Sequence, residues 1–279
     1  MSVEQYLDMQ KRSYAGAATS RENAEKVVHP FYNTAAREAR ATLAYLLNDY
    51  MDRHATLSAG RSVDRVRKSF LDVPRGLRLL DYGCGVGRVM DEVCRSGFRV
   101  DGVDISPEML AFAAESSILR KSGSRLFLSG GQDCGEAPAG SYDLAYSVLC
   151  FQHICVRTVR TAILRSIARA LKPDGSLFIQ FQFYPTFKAT TIPENHAAWD
   201  QDKTSAVGTN SQADVWVTPD RLAQVWEDFS AIFHDVRFQF IEIPNLESLE
   251  HLPYGARFQH LFVSACNAQT YCERIYRAL

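Results

Sequence analysis

Leu77-Arg78-Leu79-Leu80-Asp81-Tyr82-Gly83-Cys84-Gly85-Val86-Gly87-Arg88 is the stretch whose reading decides the fold. Leu77, Leu79 and Leu80 make an apolar run of the kind a strand buried in a parallel sheet shows, and the run ends in Asp81. Gly83, Gly85 and Gly87 then stand at every second position. Glycine at that density lets the backbone turn tightly and approach a ligand where any Cβ would collide. Arg88 to Arg95 reads as the first turns of a helix. Strand, glycine turn and helix in this order form the ligand-binding opening of a doubly wound α/β sheet. The spacing departs from the dinucleotide fingerprint G-x-G-x-x-G, because Arg88 stands where its third glycine would fall. An acid at the strand end also repels a pyrophosphate and suits a ligand with a cationic end, such as an α-amino group.

Downstream the pattern continues as alternating strands and helices. Phe98 to Asp104 reads as a second strand, ending in Asp104 at the distance (~20 residues past the turn) where an acid accepts hydrogen bonds from the two ribose hydroxyls of a nucleoside. Ser106-Pro107-Glu108 caps a helix, serine before it and proline at its first position, with Met109, Leu110, Ala113 and Ala114 on its buried face. Arg125 to Leu128 and Tyr142 to Val148 read as the third and fourth strands. The fourth leads into Leu149-Cys150-Phe151-Gln152-His153-Ile154, at the end of the sheet where open α/β sheets bind ligands. A helix over Val156 to Leu171, a turn at Lys172-Pro173-Asp174-Gly175 and a fifth strand to Phe183 follow. From Tyr184 to about Val217 regular signals fade, and an excursion of this length inside a compact domain is characteristically functional or disordered. It carries His196, Trp199 and Trp216, which either wall a substrate or anchor the excursion. Thr218-Pro219-Asp220 opens another helix, and Val236 to Ile243 and Gln259 to Ala265 alternate as two last strands.

Upstream, residues 1–70 are rich in Ala, Glu, Arg and Tyr with helical spacing, and Ala35, Ala39, Leu43, Leu46, Leu47 and Tyr50 line one face of a helix. Arg61 to Phe70 reads as a further short helix. We expect 1–70 to be a helical cap on a 71–279 domain, either covering a sheet edge or closing over the ligand. Arg12 and Tyr14 are its candidate ligand-facing residues: an arginine can pair with a carboxylate, and a tyrosine can cover a sulfonium.

Leu77–Arg88 resembles motif I of the class I S-adenosylmethionine-dependent methyltransferases. Val100-Asp101-Gly102-Val103-Asp104-Ile105-Ser106-Pro107-Glu108-Met109-Leu110 resembles their motif II, Tyr142–Val148 their motif IV, and Leu171-Lys172-Pro173-Asp174-Gly175-Ser176-Leu177-Phe178-Ile179 their post-helix turn and strand. The motifs cover about residues 75–183 in family order. The resemblance implies a Rossmann-like α/β fold, a seven-stranded mixed sheet of order 3-2-1-4-5-7-6 with strand 7 antiparallel and helices on both faces. It implies S-adenosylmethionine as methyl donor, with S-adenosylhomocysteine as product. It places Asp81, Gly83, Cys84, Gly85 and Gly87 at the methionine part, Asp104 at the ribose, and Ile105, Met109 and Val148 around the nucleoside. After the third strand an acid or amide meets the adenine amino group. Asp133, followed by Cys134, matches best, and the double glycine before them leaves Gln132 open. His153 and His196 are the candidate bases, needed only if the acceptor is a hydroxyl. The opposing reading of His153 is a packed pocket residue.

With 279 residues, 46% apolar and 23% charged, the chain can bury one large core plus a cap. A net charge of −1 gives no electrostatic footprint for nucleic acid or anionic membrane. The sequence after the fourth strand also lacks the (N/D)PP(Y/F) pattern of nucleic-acid methylation. The seven cysteines form no CxxC pair and no zinc-spaced cluster, so no metal is expected. Their odd number, with no apolar core in the first residues, suggests reduced thiols, no secretion signal and a cytoplasmic protein. No apolar run approaches a membrane span. The expected activity is methyl transfer to an O, N or C nucleophile of a small molecule. The alternatives are a noncatalytic binder on the same fold and, less in keeping with the glycine spacing, an NAD-dependent oxidoreductase.

Overall fold

The computed structural model describes residues 2–18, 76–193, 196–202, 215–241 and 259–267. The expected helices over 35–50 and 61–70 lie outside the described residues.

Among them, helix α1 (Val3–Ala17) opens on a capping box, with Ser2 accepting from the Gln5 N–H and the Gln5 side chain accepting from the Ser2 N–H. Strand β1 (Arg78–Tyr82) runs into the glycine turn and helix α2 (Arg88–Arg95). Strand β2 (Arg99–Asp104) feeds helix α3 (Pro107–Ala114), whose cap is Ser106 accepting from the Met109 N–H. Helix α4 (Ser117–Ser122), capped by Ser116 and ended by Gly123 at φ 70°, leads to strand β3 (Leu126–Leu128). Strand β4 (Tyr142–Ser147), a 3₁₀ turn (Phe151–His153), helix α5 (Arg157–Ala170) and strand β5 (Leu171–Phe183) follow. The expected turn at 172–175 is absorbed into β5 as an irregularity, where pairing with β4 jumps from Leu171 to Ser176. The excursion holds a two-stranded pair, β6 (Ala197–Ala198) beside β7 (Val215–Trp216). Helix α6 (Leu222–Ser230), entered through the 3₁₀ turn Pro219–Arg221, precedes strands β8 (His234–Ile241) and β9 (Gln259–Cys266).

The sheet order is β3-β2-β1-β4-β5-β9-β8. Parallel pairing holds from β3 to β5, and β9 runs antiparallel between β5 and β8. This is the expected seven-stranded topology with an antiparallel strand inserted next to the edge. Alternation along β1 sends Leu80 and Tyr82 into one core with Val159, Ile163 and Ile167 of α5 and Val225 and Phe229 of α6. Leu79 goes to the other face with Met90 and Val93 of α2. Each fully buried Ile or Phe in these layers contributes about 1.5–3 kcal/mol of apolar transfer free energy.

The amino ends of the strands are tied together away from the site. The buried Asp101 carboxylate accepts from Arg78 Nη2 at 2.7 Å, Arg125 Nη2 at 3.1 Å, the Arg125 backbone N–H at 2.9 Å and the Tyr142 hydroxyl at 2.9 Å. One anion thus pins the starts of β1, β3 and β4 against β2. The carboxyl ends are left to the loops that form the site.

Candidate active site

The glycine turn is held by backbone geometry at the junction of β1 and β2. Gly83 and Cys84 both donate to the Val103 carbonyl, at 2.8 and 3.0 Å, and Gly87 donates to the Cys84 carbonyl at 2.9 Å. Gly83, Gly85 and Gly87 have φ of 78°, 52° and 82°. A Cβ on Gly83 would stand 2.3 Å from Cys150 Sγ, and one on Gly87 2.8 Å from Leu119 Cδ1. Gly85 has no atom within 4 Å of that position, so it faces open space at the mouth of the turn. Asp104 closes the turn from β2: its Oδ2 accepts from the Gly85 N–H at 2.8 Å and its Oδ1 from the Ser106 N–H at 2.9 Å. A carboxylate has about four lone-pair sites, so both oxygens keep capacity for a hydroxyl donor. Burial pushes the Asp104 carboxyl up, against the pull of the Ser106, Gly85 and Ile105 N–H groups.

Asp81 lies beneath the turn with 3% of its surface exposed. Burial pushes its carboxyl up to about 8; the Tyr146 hydroxyl pulls it down, and Asp104 adds to the rise. Tyr146 stands directly across from Asp81 in the β1–β4 register. Its hydroxyl is fully buried, with the Asp81 carboxyl as the polar group it acts on.

Beyond β3, the loop spends its polar groups on itself. Asp133 Oδ1 accepts from the Gly130 and Gly135 N–H groups at 3.0 and 2.8 Å, and the Cys134 N–H donates to Ser166 Oγ at 3.0 Å. The two residues matched to adenine recognition are therefore committed to the loop and to α5, apart from Asp133 Oδ2. Gln132 is half-buried at the tip of the same loop. Gly131 (φ 105°) is the crowded point: a Cβ there would lie 2.7 Å from Leu7 Cδ2 and 3.0 Å from Ile105 Cδ1.

Leu7 belongs to α1, which bridges both halves of the site. Tyr14 packs with Val86 and Met109, on the cofactor-loop side. Tyr6, fully buried, accepts from the Cys155 N–H at 3.0 Å and from Gln10 Nε2 at 3.3 Å, on the β4 exit side. Gln10 Nε2 also reaches the His153 carbonyl at 3.5 Å. Arg12 is not brought into the site: its exposed guanidinium pairs with Asp8 at 2.6 Å. Tyr6, Leu7, Gln10 and Tyr146 escaped the sequence reading. The helical repeat that places Tyr6, Gln10 and Tyr14 near one another was its only available signal.

At the β4 exit, Val148 packs with the α2-side core and Leu149 adopts φ 60°, uncommon for a non-glycine residue. Cys150 is thereby set over Gly83, and Phe151 turns edge-on to Tyr82 and Phe181. His153 lies half-buried at this rim, with Nε2 3.3 Å from Gln152 Nε2. The excursion splits into two roles. Trp199 is an anchor: its Nε1 donates to Asp228 at 2.9 Å, and Arg160 lies 4.4 Å over its ring while donating to its carbonyl. Burial lowers Arg160 to about 10, which leaves it charged at neutral pH. Trp216 stacks with both Tyr184, at 3.9 Å, and His196, at 4.8 Å. His196 is thus an aromatic-stack residue beyond the β5 end. His260, which sequence reasoning passed over, faces Gln180 across β5 and β9, and burial lowers it to about 4, so it is neutral.

No group of three His, Cys, Asp or Glu poised for a metal occurs among the described residues, nor a helix long and apolar enough to cross a membrane.

A strand-and-glycine-turn site of this kind on a 3-2-1-4-5-7-6 sheet defines a Rossmann-like methyltransferase fold. A family model described as a methyltransferase domain matches residues 80–179. The chain is 30% identical over 141 residues to a ubiquinone biosynthesis O-methyltransferase of Xanthomonas axonopodis pv. citri, covering 49% of this chain and 57% of that one. It is 28% identical over 175 residues to the putative methyltransferase YqeM of Bacillus subtilis, covering 60% and 61%. The chain thus spans less than two thirds of the length of these relatives. In fold it is similar to geranyl diphosphate C-methyltransferase from Streptomyces coelicolor A3(2), with a TM-score of 0.53 at 14% identity over 90% of this chain and 87% of that one. A phosphoethanolamine N-methyltransferase from Haemonchus contortus gives 0.53 at 21% identity over 72% and 51%.

Proposed function

We propose that this protein transfers a methyl group from S-adenosylmethionine to a nucleophile on a small molecule. The observation that carries the reading is the turn itself: three glycines at positive φ, Gly85 open to a ligand, and Asp104 holding the Gly85 N–H while keeping acceptor capacity toward a ribose. The Tyr146 hydroxyl and the Asp81 carboxyl beneath the turn suit a cationic ammonium. The relatives support the class of reaction, and their differing acceptors leave this chain's own to be found by assay.

When bound, the sulfonium supplies a methyl group that is already electrophilic. The protein's share is to orient and enclose. Asp81 and the glycine turn seat the methionine end, and Asp104 the ribose. Ile105 and Met109 flank the nucleoside, with Leu7 and Tyr14 of α1 over them. Orientation in line and exclusion of water give most of the acceleration in such a displacement. A hydroxyl acceptor needs its proton removed, and His153 at the β4 exit is placed to take it; a neutral amine needs only positioning. The Tyr184–Trp216–His196 stack beyond β5 forms the wall on the acceptor side.

Calorimetric titration with S-adenosylhomocysteine, with NAD as control, tests the donor; mass spectrometry of acceptor mixtures incubated with S-adenosylmethionine tests transfer. Micromolar binding of the adenosyl ligand alone, with a methylated product, supports the proposal. Binding without turnover on any acceptor would make this a noncatalytic binder, and NAD binding would make it an oxidoreductase.

A further inference from the structure

On the α2 side of the sheet, the apolar layer gives way near the carboxyl ends of β5 and β9 to polar side chains. Along β5, Ile179, Phe181 and Phe183 enter the core with α5, so Gln180 and Gln182 point to the other face. Along β9, Leu261 and Val263 do the same and leave His260 and Phe262 there. Phe178 and Phe262, with rings 4.9 Å apart, close the apolar layer. One step nearer the carboxyl ends, Gln180 Nε2 meets His260 Nδ1 across the two strands. Gln180 stands level with the end of β4, one residue past the pairing of Ser147 with Ile179. Beside it the Tyr184 hydroxyl donates to Gln182 Oε1 at 2.8 Å, and Trp216 shares this face because Val215 and Val217 enter the core.

Gln180 is 3% exposed, and its Oε1 meets no hydrogen-bond partner among the described residues; nor does the buried Trp216 Nε1. A buried amide oxygen left unpaired is costly, and a donor on a ligand removes that cost. The same face lacks charge. In β4, β5, β7 and β9 Lys172 is the sole lysine or arginine, and it pairs with Asp143 at 2.5 Å at the amino ends, away from the site. Asp143 and Asp174, the acids of these strands, lie at that far end too. Arg221 is paired with Asp200 at 2.8 Å, and Lys188 is exposed.

We infer that Gln180 is a specificity-determining residue of the acceptor site, and that the acceptor is an uncharged molecule with at least two hydroxyls, one methylated and one donating to Gln180 Oε1. The inference rests on methyl transfer as read above and deepens it. An amide oxygen accepts a hydrogen bond and takes up no proton at neutral pH, so the hydroxyl it holds stays protonated and serves recognition. The other hydroxyl is the nucleophile. Its O–CH₃ bond forms as the S–CH₃ bond breaks, its proton passes to His153, and the S–CH₃ electron pair stays on the sulfur of S-adenosylhomocysteine. A phosphate or carboxylate would bring a charge that no cation of these strands meets, and burying an unpaired charge costs far more than burying a hydroxyl. His260, neutral because burial lowers it to about 4, holds the Gln180 amide without adding charge.

The test incubates the full chain with S-adenosylmethionine and three matched sets of phenols, whose protons a histidine can take: dihydroxybenzenes, their monomethyl ethers and their monophosphates. Mass spectrometry reads the methylated product. The dihydroxybenzenes should react with kcat/KM about tenfold or more above the monomethyl ethers, which keep a nucleophile but lack the second donor. The monophosphates should give no product. Gln180→Met, close to glutamine in shape, should erase the preference for diol over ether while calorimetry finds S-adenosylhomocysteine affinity unchanged. A merely structural role would lower both substrates alike and keep their ratio. Equal kcat/KM for diol and ether in the wild type would overturn the inference, as would turnover of the monophosphates or a preference that survives in Gln180→Met. Binding of S-adenosylhomocysteine with no product from any phenol would overturn it as well. Absence of S-adenosylhomocysteine binding would instead overturn the donor assignment beneath it.

Discussion

Replacing Asp104 with asparagine tests the site at its most connected atom. Asp104 makes two charge-assisted bonds to backbone donors, Gly85 N–H at 2.8 Å and Ser106 N–H at 2.9 Å. Asparagine keeps one carbonyl oxygen and puts an N–H₂ opposite the other donor. The variant therefore loses one bond to a charged acceptor, about 1.5–3 kcal/mol, and turns that contact into donor against donor. For a chain of this size about 2–4 °C follows each kcal/mol, so the ligand-free melting temperature should fall by roughly 3–12 °C. The ribose loses an ionised acceptor as well, so S-adenosylhomocysteine should bind roughly ten- to a hundredfold more weakly. Asp133→Asn is the matched control. Its Oδ1 ties its own loop, through Gly130 and Gly135, so the melting temperature should fall, while the change in affinity measures what Oδ2 contributes toward the adenine. Differential scanning fluorimetry and calorimetry read both quantities. Asp104→Asn with wild-type affinity would refute the ribose assignment, and a wild-type melting temperature would refute the claim that Asp104 closes the glycine turn.

Gly83→Ala should lose several degrees of melting temperature, because its Cβ falls 2.3 Å from Cys150 Sγ and 2.5 Å from Cys150 Cβ at φ 78°; adding Cys150→Ala should recover little, because the Cβ at 150 remains in the way. Asp81→Asn should flatten the pH dependence of ligand-free stability. With Asp81 titrating at about 8 in the folded chain and 3.8 unfolded, the native state holds a proton the unfolded chain has lost, so wild-type stability falls as pH rises between those values, by up to about 1.4 kcal/mol per pH unit. Parallel melting curves for the two proteins across that range would refute the assignment. His153→Ala should lower kcat on a hydroxyl acceptor by roughly 10²–10⁴ with S-adenosylhomocysteine affinity unchanged; equal loss of both would make it a pocket residue. Tyr6→Phe leaves the buried Cys155 N–H without its acceptor, a cost of about 1–3 kcal/mol visible as a lower melting temperature; an unchanged value would show that α1 is not held there.

The amino-acid sequence by itself determined the β1–turn–α2 unit and the alternation that builds the parallel half of the sheet. Both are local. Leu79 and Leu80 bury opposite faces of one strand, glycines at every second position permit only a tight turn, and Ser106-Pro107 can only begin a helix. Asp81 and Asp104 were legible for the same reason, since each is fixed by its place at a strand end. The excursion was legible as irregular, but the roles of its aromatics were not. Whether Trp199 anchors and Trp216 stacks depends on Asp228, Arg160 and Tyr184, which approach only after folding. That Gly130 and Gly135 occupy Asp133 Oδ1 and Ser166 the Cys134 N–H was not legible, because such hydrogen bonds leave no periodic trace in the sequence. Tyr146 read only as a strand residue. The tertiary structure alone decided that it faces Asp81, since strand register is set by the packing of the whole sheet, and register is what brings a buried acid and a buried hydroxyl side by side.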